Sequence, residues 1–241
     1  MRCGERLLIL DAGTGLREFG LQLADEGPLD VDLFLTHTHV DHIAGVPFFD
    51  PFFDERSRFR VWAGHLRPKH ALEEVLHDYM AAPLFPVPPA VFDAAVELRD
   101  FEAGDTLKPA DGITLRTEPL RHPNGATGYR VEFGGRALCY VTDTEHDPAH
   151  LDERIIRLID GADVVIYDCT YTEAEFPAYR GWGHSTWQEG ARLCDAAGAS
   201  SLVIFHHDPS HDDDAMDLIG ADAERTRPGT RVAREGMVVN A

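Results

Sequence analysis

The sequence predicts an α+β fold in which helices cover β-sheets. Three observations predict it. Short β-rich runs alternate with runs of helical spacing along the whole chain. Glycine- and proline-containing turns punctuate them, with no internal repeat. The 241 residues are 44% hydrophobic and 27% charged, enough apolar material for a buried core.

The elements follow in order. Leu7–Leu10 is an apolar strand ending in the turn Asp11-Ala12-Gly13, and Leu16–Ala24 has helical spacing. Val31–Thr36 is a buried strand running into a histidine cluster. Phe59–Trp62 alternates as a strand, and Pro68–Tyr79 is expected to be a helix with proline in its first turn. Pro83, Pro86, Pro88 and Pro89 make Ala82–Ala90 a stiff loop that presents Phe85, suited to a lid, a dimer contact or a surface wrap. Ile113–Leu120, Gly128–Phe133 and Ala137–Thr142 are strands, the last two joined tightly at Gly134-Gly135. Leu151–Ile159 is a helix, Val164–Tyr167 a strand, Ser185–Ala197 a helix and Leu202–Phe205 a strand. A helix around Asp212–Glu224 and a tail strand near Met237–Val239 complete the expectation of a single domain over residues 1–241.

Bulk properties narrow the function. A formal charge of −20 without a Lys/Arg run opposes long nucleic acids, although a small anion can bind where metal ions reverse the local potential. No apolar run spans a membrane, and the charged start MRCGERLLIL does not read as a signal peptide. Cys3, Cys139, Cys169 and Cys194 are scattered, which suits reduced thiols and the cytoplasm.

The chemistry concentrates in Thr36-His37-Thr38-His39-Val40-Asp41-His42. Imidazole suits zinc and other borderline metals, and carboxylate adds a hard oxygen. Residues two apart on an extended segment share a side, so His37 and His39 can face one metal. Asp41 and His42 lie past the strand end, where the chain can turn toward a second.

This run resembles the HxHxDH signature of the metallo-β-lactamase superfamily. The resemblance implies a four-layer αββα sandwich with a dinuclear site, most commonly zinc, with manganese or iron as substitutes. It also implies one or two strands before Leu7, so either the start is trimmed or the first sheet is one hairpin short. By the family's order of ligands, His37, His39 and His122 hold one ion, Asp41, His42 and His206 the other, and Asp143 bridges. His207 competes with His206 for the last position; the family order favours the histidine directly after the strand. Asp11 matches an early aspartate that orients the histidine loop.

The segments VVIYDCTY (Val164–Tyr171) and GHST (Gly183–Thr186) resemble the tRNase Z-like branch. There an acid and a histidine form a dyad beside the metals; here the pair is Asp168 and His184, with aspartate where glutamate is usual. The catalytic set implied is Asp41, Asp168 and His184, with attack by a metal-bridging hydroxide. The tRNA-processing members carry a long arm between the ligands matching His122 and Asp143, whereas only a hairpin fits here. Hairpin and acidity together point to small cyclic phosphodiesters. A lactone or thioester hydrolase of the same fold and a tRNA 3′-processing endonuclease are the alternatives. The remaining histidines, His65, His70, His77, His146, His150 and His211, receive no role, and His211 is expected at a solvated helix start.

Overall fold

The computed structural model describes residues 1–241. The chain divides into two units, Met1–Ala103 and Gly104–Ala241.

The first unit carries β1 (Arg2–Cys3), β2 (Arg6–Leu10), α1 (Gly15–Gln22), β3 (Asp30–Leu35), α2 (Val40–Ile43), β4 (Arg58–Ala63), α3 (Leu72–Tyr79) and β5 (Ala95–Asp100). Its sheet runs β1-β2-β3-β4-β5. The β1–β2 pair is antiparallel and the rest parallel. Every residue of Val31–Leu35 is buried, including Asp32, as expected of a central parallel strand. Val31, Leu33 and Leu35 join Phe49, Phe52, Phe59, Leu72 and Met80 in the core of this unit. Asp32 is held by Arg6, Arg60 and the Trp62 indole, which satisfy a carboxylate that burial would otherwise penalise.

The second unit carries β6 (Thr106–Leu107), β7 (Thr114–Leu120), β8 (Ala126–Phe133), β9 (Arg136–Val141), α4 (Glu153–Ile159), β10 (Val164–Asp168), α5 (Trp187–Ala196), β11 (Ser201–Phe205), α6 (Asp213–Thr226) and β12 (Arg231–Val232). Its sheet runs β12-β11-β10-β9-β8-β7-β6. Strands β6 to β9 pair antiparallel, and β9 to β12 parallel. Hence β7, β9, β10 and β11 all end at the same edge of the sheet. Its core includes Cys139, Val141, Leu158, Val165, Tyr167, Leu193, Leu202 and Ile204. Asp152, Thr186 and Asp212 cap α4, α5 and α6 by accepting from the backbone N–H groups of Arg154, Glu189 and Ala215.

Several boundaries differ from expectation. Helix α3 starts at Leu72, not Pro68; Pro68 lies in the preceding turn, and Glu74 accepts the Ala71 N–H at the true start. The tail strand is Arg231–Val232, paired parallel with Val203 and Ile204, whereas Met237–Val239 forms no strand and Val238 is 79% exposed. Strand β5 was hidden by its charged residues Glu97, Arg99 and Asp100, which suit an edge. In the Pro-rich loop Phe85 is half-buried edge-on against Phe48, whereas Leu84 and Val87 are exposed. All four cysteines are buried free thiols. No helix is long and apolar enough to cross a membrane.

Candidate metal centre

In the first unit the histidine cluster follows β3. Asp11, at the end of β2, sits at φ 61°, a conformation uncommon for a side chain larger than glycine. Its carboxylate accepts from the Thr36 N–H at 2.7 Å and lies 2.9 Å from His42 Nδ1. His37 Nδ1 lies 3.0 Å from Thr36 Oγ1. The Nδ1 atoms of both histidines are thus occupied by the protein, which leaves each Nε2 for another partner. His37 Nε2 lies 2.9 Å from His39 Nδ1, and His42 Nε2 3.5 Å from Asp41 Oδ2. Gly45 lets this loop pack against the Asp11 turn, since a Cβ there would stand 2.2 Å from the Gly13 carbonyl oxygen.

In the second unit the edge shared by β7, β9, β10 and β11 collects His122, Asp143, Asp168, His184 and His206. His122 Nδ1 donates to the Gly183 carbonyl at 2.8 Å, and its Nε2 is 3.6 Å from Asp143 Oδ2. His206 Nδ1 is 3.0 Å from Thr170 Oγ1, and its Nε2 is 3.4 Å from Asp143 Oδ1. The same division of labour recurs, with Nδ1 fixed and Nε2 aimed at the carboxylate. Asp143 and His206 adopt φ 56° and 60°, so two of these strand-end residues hold strained backbone. His207 turns away and bonds the Ile204 carbonyl at 3.2 Å, while burial lowers its pKa.

Asp168 is fully buried. Its Oδ2 lies 3.0 Å from His184 Nδ1 and accepts from the Thr144 N–H at the same distance. Its Oδ1 accepts from the N–H and hydroxyl of Thr170 and from the Ser185 N–H. The shorter aspartate therefore reaches the histidine directly. His184 stacks on His206 with 4.8 Å between centroids. His122, Asp143 and His184 can converge on one cation, as can Asp168, His184 and His206.

Three histidines without an assigned role are built into these surroundings. His65, after β4, bonds Thr38 at 3.1 Å, and burial, reinforced by His39, lowers its pKa to about 4. His146 stacks on Phe176 and bonds Ser185 Oγ at 2.8 Å; burial lowers its pKa to about 4. His211 pairs with Glu175 at 2.8 Å instead of meeting solvent, while Asp212 does the capping. Their common signal in sequence is weak, because each lies outside a recognisable spacing.

The β-lactamase superfamily domain matches residues 6–207. A ribonuclease Z of Haloarcula marismortui is 22% identical over 282 residues, covering 95% of this chain and 86% of the relative. Among solved structures, the short form of human tRNase Z superposes with a TM-score of 0.72 at 17% identity, over 100% of this chain and 90% of that one. A diphosphatase of the PhnP family gives 0.70 at 20% identity, over 100% and 82%. The chain belongs to the β-lactamase superfamily. It is a metal-dependent hydrolase of the α+β metallo-β-lactamase fold, with ribonuclease Z among its relatives.

Proposed function

We propose that this chain is a dinuclear phosphodiesterase acting on small, cyclic phosphodiesters in the cytoplasm, with residues 1–241 working as one domain. The observation that carries the reading is the Asp168–His184 pair at 3.0 Å, with His184 Nδ1 3.8 Å from Asp143. Carbonyl substrates that expel a stable leaving group have no need of such a proton donor.

The donor set fits metal ions. Within each unit, imidazole nitrogens whose opposite ring atom is already bonded face another imidazole or a carboxylate at 2.9–3.6 Å. As the family resemblance implies, His37, His39 and His122 would hold one ion, Asp41, His42 and His206 the other, and Asp143 both. Two divalent ions, zinc by preference and manganese or iron as substitutes, would supply a nucleophile from water near neutral pH and draw charge from phosphoryl oxygens. Asp168 keeps the His184 Nδ1 proton in place and leaves Nε2 to carry the mobile one. The water oxygen joins phosphorus, the ester P–O bond breaks, and Nε2 gives its proton to the departing alkoxide. The proton lost by the water returns to His184 through solvent.

The small-substrate assignment rests on the charge of −20 and on the direct β8–β9 hairpin between His122 and Asp143. Metal-analysed protein assayed on a chromogenic diester, cyclic nucleotides, a precursor tRNA and a lactone tests it. Two ions per chain and turnover of the cyclic diesters are expected. Turnover of the lactone alone, or of the tRNA far above the small diesters, overturns it.

A further inference from the structure

We propose that Trp182 and Arg180 form a nucleobase-stacking platform beside His184, so that the preferred substrate is a mononucleotide diester; this rests on the phosphodiesterase reading. The chain has three tryptophans. Trp62 is half-buried against Phe34 and Arg99, and Trp187 is buried in the core, whereas Trp182 is 61% exposed.

The surroundings make it a built surface. The loop from Tyr179 to Gly183 is tied down by Glu145, whose carboxylate accepts from the Gly181 and Gly183 N–H groups at 2.7 and 2.9 Å. The Trp182 N–H donates to the Tyr179 carbonyl at 3.1 Å. Behind the indole stands a ladder of rings. Trp182 meets Tyr179 edge-on at 5.5 Å, Tyr179 stacks on Tyr171 at 4.4 Å and 7°, and Tyr171 lies 6.1 Å from His184. Trp182 is two residues from His184, so their backbones are at most about 7 Å apart.

Arg180 adds charge. In this acidic chain most arginines sit in ion pairs, but Arg180 is exposed and lies over the Phe176 ring at 5.9 Å without a carboxylate partner. An exposed planar ring and, two residues before it in the same loop, an arginine without a carboxylate partner fit a ligand that is both flat and anionic. Aromatic side chains bind bases by stacking with little dependence on base identity, and arginine assists through charge and its own plane. A nucleoside phosphate combines these features; a base-free sugar phosphate has only one of them.

The test compares adenosine 5′-monophosphate with ribose 5-phosphate by titration calorimetry on the metal-loaded protein, alongside Trp182→Ala, Trp182→Phe and Arg180→Gln. Trp182→Ala is expected to weaken the nucleotide fivefold to about a hundredfold while leaving ribose 5-phosphate unchanged, and Phe to restore part of the loss. Arg180→Gln is expected to weaken the nucleotide but not adenosine. In kinetics, Trp182→Ala should lower kcat/KM for a cyclic nucleotide and spare a cyclic sugar phosphate without a base. Equal binding of nucleotide and sugar phosphate, insensitivity to Trp182→Ala, or a change of oligomeric state in its place overturns the platform. A single-stranded RNA that binds far more tightly than the mononucleotide overturns the substrate size. Trp182-dependent nucleotide binding without hydrolysis of any diester upholds the platform and removes the phosphodiesterase reading.

Discussion

Single side chains divide the site into groups that hold metal and one that moves a proton. His184→Ala is expected to slow cyclic nucleotide hydrolysis about a hundredfold or more, because an alkoxide leaves poorly without a proton. A nitrophenyl diester, whose leaving group needs none, should lose far less, and metal content should stay level. Asp168→Asn should give a milder form of the same pattern, since the amide still fills the pocket but orients the ring less well. Equal losses on both substrates count against the proton-donor role. His146 makes a separate prediction about stability. Its pKa, near 4 in the fold, lies below the ordinary 6.5, so between those values the unfolded chain binds more protons. The stabilisation is therefore present above about pH 6.5 and lost as the pH falls toward 4. His146→Gln, which can still bond Ser185, should reduce the drop in urea midpoint between about pH 7.5 and about pH 5. His65 shifts in the same direction, so the reduction should be partial.

At the scale of elements, strand direction and loop anchoring decide where the chemistry sits. The ends of β7, β9, β10 and β11 share an edge because β8 reverses the chain between β7 and β9 and the later strands run parallel. The GHST loop is fastened to that edge at Gly183. A Cβ at Gly183 would stand 2.3 Å from His122 Nδ1, and φ is +91° there. Gly183→Ala should accordingly displace His122 and lower metal content along with activity on every substrate, unlike His184→Ala. Elemental analysis separates the two; unchanged metal in Gly183→Ala would refute the anchoring role. Much of this layout was legible, because the apolar runs Val31–Leu35, Ala137–Val141, Val164–Tyr167 and Leu202–Phe205 announce buried strands and each empties into a polar residue. Strand β5 was not legible, since an edge strand carries charges that mimic a loop. The Met237–Val239 error has the opposite cause: apolar residues suggested a strand where no neighbouring edge takes them up. Motif order favoured His206 over His207 as the last ligand; the approach of His206 to Asp143 and the turning of His207 to the Ile204 carbonyl needed the structure.

For the whole molecule, charge sets the partners. The imbalance of 42 acidic against 22 basic residues leaves few cations to neutralise a phosphate backbone. Binding of a precursor tRNA should be weak at low ionic strength and should not show the steep loss with added salt typical of basic nucleic-acid binders. A strong negative salt slope in a filter-binding or anisotropy titration would show that the sum of charges misleads and that a local patch governs. The fold and the HxHxDH run were readable from the sequence because both depend on local patterning. The Trp182 ladder and the surroundings of His65, His146 and His211 were not, because they bring together residues distant in the chain.

The left-handed backbone of His206 has a consequence for how this protein trades durability against activity. At φ 60° a residue with a Cβ carries strain of about 1 kcal/mol or more, which glycine does not. Thr170 bonds the main-chain carbonyl of His206 as well as its ring, so part of the local support survives loss of the side chain. His206→Gly in chelator-treated protein should therefore melt a few degrees higher than the parent, about 2–4 °C for each kcal/mol relieved in a chain of this size. Added metal should reverse the ranking, because the parent gains a ligand that the variant lacks. A variant that melts lower than the parent without metal would mean that the imidazole contributes more to the empty fold than its backbone costs. The crossing of the two melting curves would measure how far selection for catalysis has held this protein below the stability its scaffold could reach.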